Sequence, residues 1–434
     1  MKPTSWGTKN RKNVRTMLST KSRYSYPVLA SVLIVLMVVA VFFKPTPHYS
    51  NVISSDGILA YNPLAIFAIL ATAGIVSWFI CFLIIRYEYL HARFSHDHVT
   101  VKPQRFHAEP TPRIGGLAIL GGLFAAAGLE LTLQPETPST INGLGYFLIA
   151  IIPAFIGGLV EDVTKNVGVS QRLLLTMISG VIGAWLLGAV VHRLGIPILD
   201  NMMLWLPFAI VFTIVAIGGV TNSINIIDGY NGLAGGFSVI ALVAMAFVAV
   251  QVNDNLILML TVSMTGAILG FLAWNWPKGK IFMGDSGAYL IGFALAELSV
   301  LLIYRNPSVS PWFPLLVLAY PVFETLFSIY RRKWVRKATP GQPDALHLHQ
   351  LIFKRIIRGH INGGRSSLIT SNNSRVAPYI WLVATLNAIF AVIFWQSTAI
   401  LMAASLAGCA LYVLAYNRLI SFRGLGKFPR KIQR

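Results

Sequence analysis

The chain has 434 residues, of which 55% are hydrophobic and only 12% are charged. A soluble protein carries about a quarter charged residues, so this composition excludes an ordinary soluble domain. The net charge of +20 suggests a nucleic-acid partner at first sight. The distribution of the basic residues along the chain, described below, argues against that interpretation.

Apolar runs recur along the chain, each long enough to cross a hydrocarbon core of roughly 30 Å as a helix that rises about 1.5 Å per residue. The sequence therefore predicts an all-α, polytopic transmembrane bundle of about 11–12 spans. The first span lacks a small-residue cleavage site, which indicates a retained anchor rather than a signal peptide. The candidate spans are Tyr26–Phe43, Leu64–Ile85, Ile114–Leu133, Ile141–Val160, Leu173–His192, Met203–Val220, Gly236–Val252, Leu256–Asn275, Ser286–Tyr304, Trp312–Tyr330, Ala377–Trp395 and Ala399–Tyr416.

The basic residues orient these spans. With the amino terminus in the cytoplasm, 32 of the 35 Lys and Arg residues fall in segments on the inner side. The positive-inside rule then places both termini in the cytoplasm. A basic surface that faces anionic lipid explains most of the net charge, so we expect the lipid bilayer as a partner and no nucleic acid.

Five polar segments interrupt the spans, and the predicted topology places all of them on the cytoplasmic side. The outer loops are short by contrast. A transporter is expected to bind its substrate near the membrane midplane, so this asymmetry weighs against transport. The segments are "VKPQRFHAEPTPRIGG", "GGLVEDVTKNVGVSQR", "TNSINIIDGYNGLAGG", "PKGKIFMGDSG" and "PGQPDALHLHQLIFKR".

Carboxylates stand at the ends of several spans. Glu161 and Asp162 end the fourth span, Asp228 follows the sixth and Asp285 opens the ninth. Each has an ordinary explanation as an interface residue, and Asp285 suits a helix N-cap. Together with the surrounding glycines they indicate a hard cation, Mg²⁺ or Mn²⁺, bound jointly with substrate phosphate. The residues therefore point to a metal-assisted reaction of a phosphorylated, nucleotide-linked substrate with a membrane component.

The order of "PTPRIGG", "NIIDGYNGLAGG", "KIFMGDSG" and "HLHQ" resembles that of the polyprenyl-phosphate N-acetylhexosamine-1-phosphate transferases. This superfamily includes undecaprenyl-phosphate GlcNAc-1-phosphate transferases and the phospho-MurNAc-pentapeptide transferase. The resemblance runs from about Leu64 to the last spans. It implies a bacterial cytoplasmic (inner) membrane enzyme with cytoplasmic active-site loops. Such an enzyme transfers a sugar 1-phosphate, GlcNAc by default, from a UDP-sugar to undecaprenyl phosphate, uses Mg²⁺ and releases UMP.

The resemblance also implies a domain organisation. Residues 1–63 form a basic tail with an added anchor helix and an outer loop. Residues 64–416 form the transmembrane transferase domain, and residues 417–434 form a basic cytoplasmic tail. Assembly into a homodimer is an expectation from the family alone.

The implied catalytic and metal-binding residues are acidic. Glu161 and Asp162 match the family's acidic pair, although the first position is commonly Asp, and Asp162 would deprotonate or orient the acceptor phosphate. Asp285 matches the metal-binding aspartate. Asp228 belongs to the "NxxxDG" signature and is expected to serve catalysis or to assist in metal binding.

The implied substrate-binding residues are mostly uncharged. Asn225 opens the same signature, and Gly232 follows Asn231, an amide that stands where many relatives have a second aspartate and that cannot act as a base. The motif histidines are expected to contact the donor diphosphate, and the first cytoplasmic loop is expected to hold a phosphate. These groups comprise His347 and His349, and Arg105, His107 and Arg113.

Other interpretations of the same residues remain open. The histidines also suit a solvated loop, and Arg113 suits an interface anchor. Within the spans, Glu297 favours interhelical hydrogen bonding over function, whereas Glu324 is balanced between the two. A lipid-linked sugar flippase or transporter, or a catalytically silent assembly protein, is the alternative function.

Overall fold

The computed structural model describes residues 63–95, 111–133, 138–335, 337, 346–357 and 373–421. In this part of the chain the structure is a helical bundle without β-strands, which confirms the predicted fold class. The α-helices are α1 Pro63–Arg86, α2 Glu88–Ser95, α3 Gly115–Leu133, α4 Pro138–Thr164, α5 Val169–Leu186, α6 Pro197–Met203, α7 Leu206–Ile227, α8 Leu233–Gln251, α9 Asn255–Asn275, α10 Gly284–Arg305, α11 Trp312–Val317, α12 Ala319–Tyr330, α13 Leu348–Ile352, α14 Ala377–Ile393 and α15 Thr398–Ser421.

Nine of the described helices are long and apolar enough to span a membrane: α1, α3, α4, α5, α7, α8, α9, α10 and α15. The shorter apolar helix α14 matches the predicted span Ala377–Trp395. The predicted span Trp312–Tyr330 is interrupted at Leu318 and forms the two helices α11 and α12. The span at Tyr26–Phe43 and the proposed domain boundaries remain predictions, because residues 1–62 lie outside the described ranges.

Two predicted span boundaries differ most from the helices in the structure. The span predicted over Leu173–His192 ends as a helix at Leu186, and its last residues are irregular. In the other direction, α7 continues past the predicted end at Val220 to Ile227. Residues 221–227 of the polar segment "TNSINIIDGYNGLAGG" therefore form the last two turns of a helix.

Helix α10 is the centre of the bundle. It is buried from Ser286 to Ile303 and packs against α3, α4, α5, α7, α8 and α9. Its sequence is apolar on all sides, as expected of a helix surrounded by others. Gly292 allows this packing, because a side chain there would overlap the backbone of Thr221. Small residues commonly let transmembrane helices approach in this way.

The connections divide the bundle into two ends. At one end α3, α5, α8 and α10 begin while α4, α7 and α9 end, and we call this the site end. At the opposite end α10 ends at Arg305, beside the start of α9. The polar segments adjoin the helix termini of the site end. Residues that are far apart in sequence therefore lie close together there.

Candidate active site

The first turn of α10 is held by a carboxylate from another helix. The Asp162 carboxylate, at the end of α4, accepts hydrogen bonds from the main-chain N–H groups of Asp285 and Ser286, both at 2.8 Å. This satisfies donors that a helix N-terminus leaves unpaired, and places a negative charge at the positive end of the helix dipole. Asp162 is buried. It therefore fixes the position of Asp285.

A glycine makes this close approach possible. Gly284 has a φ of +71°, and a side chain there would overlap the main-chain carbonyl of Arg113 and the Asp162 carboxylate. Glycine is the residue that adopts positive φ without steric cost. The "MGDSG" motif thus combines a conformational requirement at Gly284 with a charged group at the next position.

The Asp285 side chain lies among three donors. Arg172 at the start of α5 forms an ion pair with Oδ2 of Asp285. Asn225 at the end of α7 donates from Nδ2 to Oδ1 at 3.1 Å. Arg113 Nη2 lies 3.8 Å from the same Oδ1 and 3.9 Å from Oδ1 of Asp162. Four polar segments therefore meet at one carboxylate.

Asp228 completes the cluster. It follows the last residue of α7, and its charge interacts with those of Asp162 and Arg113. The residue keeps partial solvent exposure, but protein atoms crowd its carboxyl group. Desolvation raises the pKa of Asp228, Arg113 lowers it and Asp162 raises it, and together they bring the pKa to about 7. The structure thus brings Asp162, Asp228 and Asp285 together, while their individual roles remain predictions.

Glu161 contacts the connection between α4 and α5 rather than the aspartate cluster. Its Oε2 accepts a hydrogen bond from the main-chain N–H of Val167 at 2.8 Å, within the connection between α4 and α5. The side chain stabilises this turn, which also contains Lys165 at a φ of +57°. Glu161 contributes to the field at Asp162 by repulsion between the carboxylates. Its catalytic role stays a prediction.

The aspartate cluster supplies the donor set that a hard cation prefers. Mg²⁺ typically takes one or two protein carboxylates, and phosphate or water oxygens complete its shell. Asp285 and Asp228 offer such oxygens, and Arg172 already places a positive charge on Asp285. Among the described residues, no three His, Cys, Asp or Glu side chains form a complete metal cage. The chemistry therefore fits an ion shared with a substrate phosphate.

Asn231 and Gly232 lie in the turn between α7 and α8, where they pack against the connection from α9 to α10. The N–H of Asn231 donates to Oδ1 of Asn373 at 2.9 Å, and its side-chain amide donates to the Pro277 carbonyl at 3.3 Å. The N–H of Gly232 donates to Asn275 Oδ1 at 2.6 Å. These contacts account for both residues structurally, and their predicted substrate contacts are untested.

The motif histidines are held by two buried partners. His347 Nδ1 lies 2.8 Å from Oε1 of Glu324, whose Oε2 accepts hydrogen bonds from the Leu348 N–H and the Tyr412 hydroxyl, each at 2.9 Å. Glu324 is fully buried. It therefore connects the histidine motif to α12 and α15, and is a positioning residue that the sequence left ambiguous.

His349 lies on the other side of the motif, towards the aspartates. Its Nδ1 is 2.9 Å from the Tyr320 hydroxyl, and its ring meets the edge of Tyr230 with 5.6 Å between centroids. A side chain at Gly229 would stand 3.9 Å from Nε2 of His349. Burial lowers the pKa of His349 to about 3, so this imidazole is neutral. The histidine motif thus adjoins the turn that carries Asp228.

Sequence reasoning missed Arg172 and Tyr289, which border Asp285. The Arg172 guanidinium lies over the Tyr289 ring at 5.7 Å from its centroid. Arg172 closes the polar segment "GVSQR", where a basic residue before a span is also typical of an interface anchor. The predicted phosphate contacts Arg105 and His107 lie outside the described residues.

A helical bundle with aspartates, arginines and histidines gathered at one end is typical of integral membrane enzymes that act on phosphorylated substrates. Comparison with known proteins specifies the family. Residues 144–303 match the model of glycosyl transferase family 4, and the relatives described next share more of the chain. The chain belongs to this family, that of the polyprenyl-phosphate hexosamine-1-phosphate transferases.

Three relatives show the range of the similarity. A probable undecaprenyl-phosphate N-acetylglucosaminyl 1-phosphate transferase of Bacillus subtilis is 32% identical over 253 residues, 58% of this chain and 68% of the relative. A decaprenyl-phosphate N-acetylglucosaminephosphotransferase of Mycolicibacterium smegmatis is 31% identical over 57% of this chain and 66% of its own. A phospho-N-acetylmuramoyl-pentapeptide-transferase of Leuconostoc citreum is 30% identical over 54% of this chain and 74% of its own.

Proposed function

We propose that the protein transfers a sugar 1-phosphate from a UDP-N-acetylhexosamine, GlcNAc by default, to undecaprenyl phosphate and releases UMP. This step would begin the synthesis of a lipid-linked cell-envelope glycan. The observation that carries the proposal is the convergence of Asp162, Asp228 and Asp285 with Arg113 at one end of the bundle. Two of the three relatives named above carry N-acetylglucosamine in their names.

The proposed reaction is a direct displacement at phosphorus. An oxygen of the acceptor phosphate attacks the β-phosphorus of the donor, the bond from that phosphorus to the bridging oxygen breaks, and UMP leaves with the electron pair. A phosphate monoester has a second pKa of about 6, so the acceptor needs little help to lose its proton. Positioning and charge stabilisation then dominate such a transfer.

The residues divide this work between them. Asp162 holds the start of α10 through two main-chain N–H groups, and so orients Asp285 rather than removing a proton. Asp285 and Asp228 would hold Mg²⁺, which neutralises diphosphate charge when bound. Arg113 faces both Asp162 and Asp285. His349 adjoins Gly229 and offers Nε2 towards the same turn.

Transfer of radiolabel tests the proposed reaction. The purified full-length protein is incubated with labelled UDP-GlcNAc and undecaprenyl phosphate, and butanol-extractable label and released UMP are measured with and without EDTA. We expect equal amounts of lipid product and UMP, and loss of both in EDTA. Failure with every UDP-N-acetylhexosamine donor, or label movement without UMP release, contradicts the proposal. Comparison of the donors also identifies the sugar.

We further infer that the site end faces the cytoplasm, as the distribution of basic residues predicts. A membrane-impermeant maleimide tests this in a background without Cys81 and Cys409. Lys278 is exposed at the site end and Leu204 is exposed at the opposite end. We expect Leu204→Cys to label in cells with a permeable outer envelope, and Lys278→Cys to label only after the inner membrane is opened. The reverse pattern contradicts the orientation.

A further inference from the structure

Arg172 occupies the Asp285 carboxylate, to which a divalent ion would also bind. The guanidinium is paired with Oδ2 of Asp285, and Asn225 donates to Oδ1. Only about 15% of the Asp285 side chain is exposed. An ion that binds Oδ2 directly therefore competes with the guanidinium, because the two positive charges repel each other at one oxygen.

The surroundings of Arg172 contain polar atoms without protein partners. Arg172 Nε and the Tyr289 hydroxyl are buried and make no hydrogen bond within the described part of the chain. A buried unsatisfied polar group costs about 1–3 kcal/mol, so native structures seldom keep several together without a reason. Arg172 on α5 pairs with Asp285, and the Tyr289 ring, one turn further along α10, lies under the Arg172 guanidinium. Ligand oxygens would satisfy them.

Arg172 also has a contact that does not depend on Asp285. Its guanidinium lies over the face of the Tyr289 ring, 5.7 Å from the centroid. The negative face of an aromatic ring attracts a guanidinium. The cation therefore keeps one stabilising contact when it leaves the carboxylate, and stays next to the aspartates.

We propose that Arg172 is an exchangeable cation of the site. It pairs with Asp285 until a divalent ion takes that oxygen, and its freed guanidinium then binds phosphate oxygens of the UDP-sugar beside the Tyr289 hydroxyl. A guanidinium presents a planar fork of donors that matches two phosphate oxygens. This inference rests on the proposed function, since it needs both the metal and the diphosphate donor.

Binding of Mn²⁺ alone, measured by electron paramagnetic resonance on the purified full-length protein, tests the exchange. Arg172→Met removes the competing charge but keeps a long side chain. We expect it to bind Mn²⁺ about tenfold more tightly than the wild type. Arg418→Met is the matched control, because Arg418 is exposed on α15, and its affinity for Mn²⁺ should equal that of the wild type. Equal or weaker Mn²⁺ binding by Arg172→Met overturns the exchange.

Asp285→Asn separates this inference from the proposed function. If Asp285→Asn binds Mn²⁺ as the wild type does, the ion is not on Asp285 and the proposed metal site fails together with the exchange. If Asp285→Asn abolishes Mn²⁺ binding while Arg172→Met leaves the affinity unchanged, the metal site stands and only the exchange is overturned.

Binding of UDP-GlcNAc in saturating Mn²⁺ tests whether Arg172 and Tyr289 bind the donor phosphates. The variants keep either the charge of Arg172 or the shape of Tyr289. We expect Arg172→Lys to bind the donor about tenfold more weakly, because an ammonium lacks the fork. Tyr289→Phe should weaken donor binding about threefold and leave the Mn²⁺ affinity unchanged. Wild-type donor affinity in both variants overturns the assignment of a phosphate to Arg172.

Discussion

Each end of the bundle has an aspartate at a helix N-terminus with arginines beside it. The two ends differ in how many donors of these arginines are hydrogen-bonded to protein. At the opposite end Asp254 caps α9, where its Oδ1 accepts from the N–H of Ile257 at 3.3 Å. Its Oδ2 accepts from Arg305 Nε at 2.7 Å and from Asn306 Nδ2 at 3.0 Å. The site end likewise has an aspartate at a helix N-terminus and arginines beside it.

The arginines show the difference most clearly. At the opposite end Arg193 Nη2 donates to the carbonyls of Ile303, Asn306 and Val309 at 3.2, 3.2 and 2.7 Å. At the site end, Arg172 Nε and the Tyr289 hydroxyl have no partner among the residues that the structure describes. An ion pair at a helix terminus is therefore not in itself a sign of function. The unpartnered donors beside Asp285, Arg172 Nε and the Tyr289 hydroxyl, are what the Asp254 cluster lacks.

The largest expected effect is at Asp285. Asp285→Asn keeps the shape and the contact with Asn225, but it removes the charge that a metal ion needs. We expect kcat for UMP release to fall about 10³-fold, and the unfolding temperature to fall as well, because the largely buried Arg172 loses its ion-pair partner. Asp254→Asn is the matched control at the opposite end, and should keep at least half of the activity. A similar loss of kcat in both variants would contradict the functional difference between the ends.

The next effect is at Asp162, whose role joins stability and catalysis. An asparagine accepts one of the two N–H groups of α10 but turns its own NH₂ towards the other. We expect Asp162→Asn to lower kcat about 10²-fold, and the free energy of unfolding by about 1–2 kcal/mol. Activity and thermal unfolding in detergent measure the two effects. Loss of activity at unchanged stability would instead indicate direct participation in the reaction.

A smaller effect is expected at Glu324, which holds the histidine motif. Glu324→Gln retains hydrogen-bonding capacity towards Leu348 and Tyr412 but removes the charge that faces His347. We expect the KM for UDP-GlcNAc to rise about tenfold while kcat changes less, because a charge-assisted contact with His347 is lost. Steady-state kinetics against donor concentration measure this split between KM and kcat.

Tyr412→Phe is the control for that experiment. It removes one hydrogen bond to Glu324 and leaves the His347 pair in place. We expect lower thermal stability and an unchanged KM. If both variants raise the KM equally, Glu324 acts only through the stability of the histidine segment.

The sequence predicted the helical bundle because hydropathy depends on local composition, and a membrane requires long apolar helices. It also predicted that residues as distant as Asp162 and Asp285 share a side of the membrane. The predicted topology alone required the two residues to share a side. In the structure the Asp162 carboxylate accepts a hydrogen bond from the main-chain N–H of Asp285. The break at Leu318 was missed, since a continuous apolar run does not reveal two short helices.

Side-chain pairing was the least predictable part of the site. The Arg172–Asp285 pair joins residues 113 positions apart, and no local pattern indicates it. Glu297 was expected to form interhelical hydrogen bonds, but neither of its oxygens has a partner within the described residues. It lies against Gly183, where any side chain would overlap it. Such contacts depend on how two helices pack against each other, and no pattern within one helix predicts them.

The smallest expected effect returns to the opposite end. Asp254→Asn loses the ion pair with Arg305, whose side chain is 43% exposed, while an asparagine still caps α9 through its carbonyl oxygen. Exposed ion pairs contribute about 0–1 kcal/mol, so we expect unfolding temperature to fall by only a few degrees. Thermal unfolding at low and high salt measures this, and the difference from wild type should shrink in high salt. A large loss of Mn²⁺ or donor binding in this variant would show that the Asp254 cluster also serves the reaction, and the contrast between its paired arginine and Arg172 would then no longer identify the site.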